Sequence, residues 1–149
     1  MCAIITIEAD TKTIDRRLKI LSAGVKDFKK PLKESGLFSV KLFRENFDVV
    51  GAKFKKWKAL SPATIRAKAR AGFPMDPLIA TGRMQNSFKL FKLERLFVSI
   101  GNPVAYFKYH QSSSPRTRLP RRVMISTNAT MIKTISKNFT DYLKALLKK

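Results

Sequence analysis

His110 is the only histidine in a chain of 149 residues, and it stands two positions before three consecutive serines, Ser112 to Ser114. An imidazole beside a hydroxyl can act as base to a nucleophile, but a working pair needs a third group that orients the base. No such arrangement is visible around these serines. A lone histidine excludes a histidine metal cluster or a paired-histidine relay, and one cysteine, Cys2, leaves a thiolate zinc site without its ligands. The ten acidic residues lie mostly at helix-surface positions in the first 50 residues, with no pair spaced for acid–base work. Gly82 and Gly101 stand alone, so they mark turns and not a phosphate loop. The sequence predicts no catalytic centre, no metal and no cofactor.

The remaining conspicuous residues suit contact. Trp57, set among Phe54, Lys55, Lys56 and Lys58, reads either as an anchor for a partner subunit or a base, or as a cover over the core. Tyr106, Tyr109, His110 and Gln111 sit with Phe107 in six residues, and each polar one joins an apolar body to a polar tip. They read as a subunit contact or as local packing. Arg116, Arg118, Arg121 and Arg122 lie in a stretch rich in serine and proline. They suit a mobile basic loop over about 112–122 that grips phosphate or an acidic protein face.

Charge points the same way. The net charge is +21, and residues 1–50 contribute only +3 of it. Beyond residue 50 only Asp76, Glu94 and Asp141 are acidic, so most basic groups there lack an intrachain partner. Such a surface repels itself and seeks an acidic protein or nucleic acid. The opening MCAIITIEAD has no basic start, and apolar runs reach about five residues, far short of the roughly 20 that span a bilayer. A soluble protein of a reducing cytoplasm is expected, with no membrane partner.

Hydrophobic content of 44% in one domain-sized chain supports a packed core, so residues 1–149 are read as one domain. Ala3 to Ala9 reads as a strand. Ile14, Leu18, Leu21, Val25 and Phe28 form one apolar stripe, and Leu32, Leu37, Val40, Phe43 and Phe47 another. These predict two helices joined near Pro31, or one kinked helix, over residues 12–48, with a loop from Asn46 to Lys58. Ser61-Pro62 starts a helix that Gly72 ends. Thr81-Gly82 opens a helical turn through Asn86. Ser87–Leu93 and Leu96–Gly101 read as a hairpin with Phe88, Leu90 and Lys92 on one face, and with Phe97 and Ser99 alternating across the turn. Ala105 to Gln111 reads as one or two helical turns, VMIS at 123–126 as a short strand, and Asn128 to Lys149 as a long amphipathic helix. The fold class is α+β: a small antiparallel sheet, made of the N-terminal strand plus the hairpin, packed by long helices from both chain ends.

In order along residues 57–122 run Trp57-x-x-Leu60-Ser61-x-x-Thr64, Leu78-x-x-Thr81-Gly82-x-Met84-x-x-Ser87, Ile100-Gly101, Tyr106, His110-Gln111 and Pro120-x-Arg122. This series resembles the phage virion morphogenesis or tail completion family, which includes Mu-like neck proteins. The chain departs from the family where Met84 replaces the usual leucine, where Ser112 to Ser114 replace a glycine, and where Arg121 and Val123 flank Arg122. The resemblance implies a non-enzymatic virion protein of the head–tail junction, assembled in the host cytoplasm. It also implies a ring of identical copies, six by preference. Its partners would be neighbouring neck, head-connector and tail-tube proteins, with packaged DNA as a further contact. The alternative is a basic nucleic-acid-binding protein.

Overall fold

The computed structural model describes residues 11–112 and 119–148. The strand expected at Ala3 to Ala9 lies outside the described residues. Helices α1 (Thr11–Val25) and α2 (Lys29–Asp48) are separate. Between them the Asp27 carboxylate accepts the Lys29 N–H at 2.9 Å. Pro31 follows in the first turn of α2, where its missing N–H leaves no bond unmade.

After α2 come α3 (Pro62–Arg70), the short α4 (Arg83–Asn86), strands β1 (Lys89–Leu93) and β2 (Val98–Gly101), α5 (Phe107–Gln111) and α6 (Ala129–Leu147). The fold is α+β: β1 and β2 form a two-stranded antiparallel sheet on α2, with α6 packed on α2 and α1 on α6. A two-stranded sheet is marginal alone in water, and here α2 covers one face. Gly36 permits this approach. A Cβ there would lie 2.9 Å from Leu90 Cδ2 and 3.1 Å from Val98 Cγ2.

The hairpin faces differ from simple alternation. An irregularity between Leu90 and Lys92 leaves Phe91 outside the register, so the pairs are Leu90↔Ile100, Lys92↔Ser99 and Leu93↔Val98. The bulge swaps the face of every later residue. Leu90, Leu93, Val98 and Ile100 are half-buried, whereas Phe91, Lys92, Phe97 and Ser99 are exposed. Lys92 is therefore not on the face of Phe88 and Leu90.

The first helix also departs from expectation. Ile14, Leu18 and Val25 are 51%, 57% and 43% exposed, so the stripe is only partly covered within the protomer. α6 reaches α1 at its end, where Tyr142 Oη lies 3.2 Å and 2.9 Å from the carbonyls of Gly24 and Asp27. Leu37, placed in the stripe of α2, is likewise exposed.

The core is aromatic. Phe88 has no exposed surface, and its ring lies 5.8 Å from Phe43, 5.9 Å from Phe47 and 5.8 Å from Phe107. Trp57 joins edge-on to Phe47 at 5.1 Å and donates its indole N–H to the Val123 carbonyl at 2.9 Å. It is 4% exposed. Trp57 is thus a core residue and not a partner contact, because both its ring and its N–H are used inside the protomer. The link after α2 is a tight turn with Val50 at φ 51° and Gly51 at φ 83°. A side chain at Gly51 would meet the Trp57 ring and come within 2.7 Å of the Lys55 carbonyl. Gly51→Ala combines backbone strain with this clash and is expected to cost about 2 kcal/mol or more in denaturant unfolding.

Candidate functional site

Near the C-terminal end of α2 the chain leaves a cleft of about 910 Å³. Three pieces of chain build it. The first is Lys58–Ser61 with the inner face of α3, where Ser61, Thr64 and Lys68 recur at helical spacing. Ser61 caps that helix by accepting the Thr64 N–H at 3.3 Å, and Gly72, at φ 67°, follows its end. The second piece is Leu78–Met84, which includes Leu78 at φ 64°, a strained angle for a leucine. Lys68 fastens it to α3 by donating to the carbonyls of Asp76 (2.6 Å) and Ile79 (2.5 Å). The third comprises Tyr106, just before α5, and His110, one turn further on, with Leu119, Pro120 and Arg122.

Gln111 locks the third piece. Its side-chain oxygen accepts the N–H groups of Met124 (2.8 Å) and Ile125 (3.1 Å), and its amide donates to the Ile125 carbonyl at 2.7 Å. The side chain thus takes the bonds that a neighbouring strand would offer, and 123–126 is not a strand. Gln111 is a structural clamp, with its side-chain amide bonded within the protomer. Replacing it with leucine leaves these buried backbone groups unpaired. That should cost about 1–3 kcal/mol, read as a lowered unfolding midpoint.

Arg122 also departs from expectation. It is 5% exposed, and its backbone N–H donates to the His110 carbonyl at 2.9 Å. One guanidinium nitrogen donates to the Lys58 carbonyl at 3.1 Å, while its Nε has no acceptor among the described residues. It therefore belongs to the wall of the cleft and not to a free basic loop. Arg121 is exposed and reaches the Gln111 carbonyl at 3.3 Å. Arg116 and Arg118 lie outside the described residues.

The cleft thus gathers Leu60, Ser61, Thr64, Thr81, Gly82, Tyr106, His110, Pro120 and Arg122 from far-separated parts of the sequence. Ser87, Gly101 and Tyr109 are not among its lining residues. The Ser87 hydroxyl donates to the Arg83 carbonyl at 2.6 Å, Gly101 pairs with Lys89 in the sheet, and Tyr109 lies beneath Lys108 Nζ at 5.2 Å. Phe107, not Tyr106, is the aromatic of α5 that faces the core. The spacing of Lys68 from Ser61 and Thr64 is its local signal, Lys58 is marked only as a neighbour of Trp57, and nothing local marks Arg83.

The described lining carries four lysines or arginines and no carboxylate. Burial, opposed in part by Asp76 and reinforced by Arg122, lowers the pKa of Lys68. Burial lowers that of Arg122. Burial and then repulsion from Arg122 push the His110 imidazole below its ordinary 6.5, and its Nδ1 is buried without a partner among the described residues. Such a site can attract an anion and pack an apolar group. No group of three or more metal-ligating side chains occurs among the described residues, and no described helix is long and apolar enough to cross a membrane.

No family model, no curated protein and no solved structure matches the chain.

The His110 shift has a defined sign. The unfolded imidazole takes a proton near pH 6.5 while the folded one resists it, so stability falls as pH drops below that value. Between neutral pH and about pH 5 the protein is expected to lose unfolding free energy that His110→Gln retains, measured by urea titrations at each pH.

Proposed function

We propose that this protein is a structural component of a phage head–tail junction, a neck or tail-completion protein whose copies close into a ring and join tail to head. The observation that carries the reading is the set of large apolar side chains left exposed on several separate elements of the protomer. On α1 these are Ile14, Leu18 and Val25, and on the hairpin Phe91, Leu96 and Phe97, of which Leu96 is 68% exposed. The hairpin turn is tied to the start of α2 by the Phe28 N–H, which donates to the Arg95 carbonyl at 2.8 Å. On α3 and its following loop Ile65, Phe73 and Met75 are exposed. α3 has no buried residue at all.

Apolar side chains left exposed on several elements support association. Unlike surfaces on different elements suit a head-to-tail contact, which makes a closed ring when the rotation between copies closes. Six copies is the number favoured by the family resemblance, with the finished ring in the virion and assembly in the host cytoplasm. The cationic surface then meets acidic neck, head-connector or tail-tube proteins, or packaged DNA. Only Lys41, Lys53 and Lys92 form ion pairs among the described residues, which leaves that surface free for them.

The same charge supports the second reading, a basic nucleic-acid-binding protein, which requires an isolated monomer to bind arbitrary duplex with a steep salt dependence. Light scattering with negative-stain imaging separates the two. The ring reading expects one fixed multiple of the chain mass and annular particles, and Ile14→Glu with Leu18→Glu is expected to give monomers of unchanged helix content. A wild-type protein that stays monomeric at every concentration and binds duplex tightly removes the ring reading.

A further inference from the structure

The cleft beside α3 holds more positive charge than the protomer can neutralise. Arg122 is almost wholly buried in its wall, no carboxylate pairs with it among the described residues, and one of its donors is unmet. A buried charge left in that state is costly, and an anion brought next to it lowers the cost. Lys58 and Arg83, both exposed, line the same cleft, and the side chain of neither forms a hydrogen bond or ion pair among the described residues. Beside these cations the lining is apolar, with half-buried Leu60 and Leu78 and buried Met84.

We propose that this cleft is the docking site for an acidic segment of a partner protein. A short extended peptide sets one carboxylate side chain among Lys58, Arg83 and Arg122 and an adjacent apolar side chain on Leu60 and Leu78. The size suits such a segment, since about 910 Å³ lies within the range of pockets that enclose a small ligand. Mixed lining also favours a peptide over nucleic acid. A phosphate backbone gains from basic groups on an open surface and gains nothing from aliphatic walls. The charge balance favours another protein over a second copy of this chain, since the chain has 10 acidic residues against 31 basic ones and two of the ten, Glu45 and Glu94, are already paired with lysines. The assignment does not depend on ring formation.

The test uses the full chain and a short fluorescein-labelled peptide of alternating aspartate and leucine, followed by anisotropy. Saturable binding is expected, with a loss of about tenfold or more when asparagine replaces aspartate in the peptide. Lys58→Glu with Arg83→Glu should weaken binding by a similar factor without lowering the unfolding midpoint, because neither side chain supports the fold. A second readout is the His110 imidazole. Its NMR titration should move upward when the peptide is bound, since a carboxylate opposes the repulsion from Arg122. Binding that is absent, equal for the asparagine peptide, or indifferent to the double charge reversal overturns the proposal. Duplex DNA that binds more tightly than the peptide and loses its affinity in the same variant overturns it in favour of nucleic acid. A monomeric protein that still captures the peptide refutes only the ring.

Discussion

Phe88 is the contact on which the rest of the fold depends. It enters the core directly after α4 and directly before β1, and its ring meets two phenylalanines of α2 and one of α5. A hairpin of two strands lacks the area to hold itself, so its position follows from this anchor and from the close approach at Gly36. Arg44 reinforces the same joint by donating to the carbonyls of Asn86 (3.2 Å) and Phe88 (2.9 Å). With α4 fixed there, the segment from Leu78 to Met84 has one firm end. The cleft wall it forms is as well placed as the core beneath it.

A second fixed point is the Val123 carbonyl, which receives both the Trp57 indole N–H and the Asn46 amide at 3.2 Å. Asn46 is fully buried, and its own oxygen takes the Lys53 N–H at 3.1 Å. The turn after α2, the tryptophan and the segment before α6 are thereby tied at one place. Polar groups placed so deep hold a geometry because each has its partner. Arg122 immediately precedes this tie in sequence, which explains how a charged side chain is drawn into the wall.

Local chemistry made much of this legible. Ser61-Pro62, the glycine after α3, Pro31 in the first turn of α2 and the stripe of α6 each act within one or two turns of chain, so their signals are local. Long-range effects were not readable. An apolar stripe on α1 looks identical whether its cover is the same chain or another molecule, so the period could not show that Ile14 and Leu18 lie open. The hairpin bulge depends on how Phe91 fits beside Gly101, a contact between strands that no alternation encodes. Arg121 and Arg122 are adjacent and chemically identical, yet one is exposed and the other buried. Only the carbonyls of His110 and Lys58, distant in sequence, distinguish them. The cleft was legible as a scatter of residues but not as a place.

The absence of any buried residue on α3 has a consequence for how the cleft behaves in time. A helix of nine residues is shorter than helices that persist alone in water, and the described ties of its side chains to the rest of the domain are those of one lysine. Its amide hydrogens are therefore expected to exchange by local opening at a free energy well below that of global unfolding. A wall held by so few contacts gains order when a molecule packs on it. Occupancy and order at α3 are thus a single thermodynamic quantity, with each raising the other.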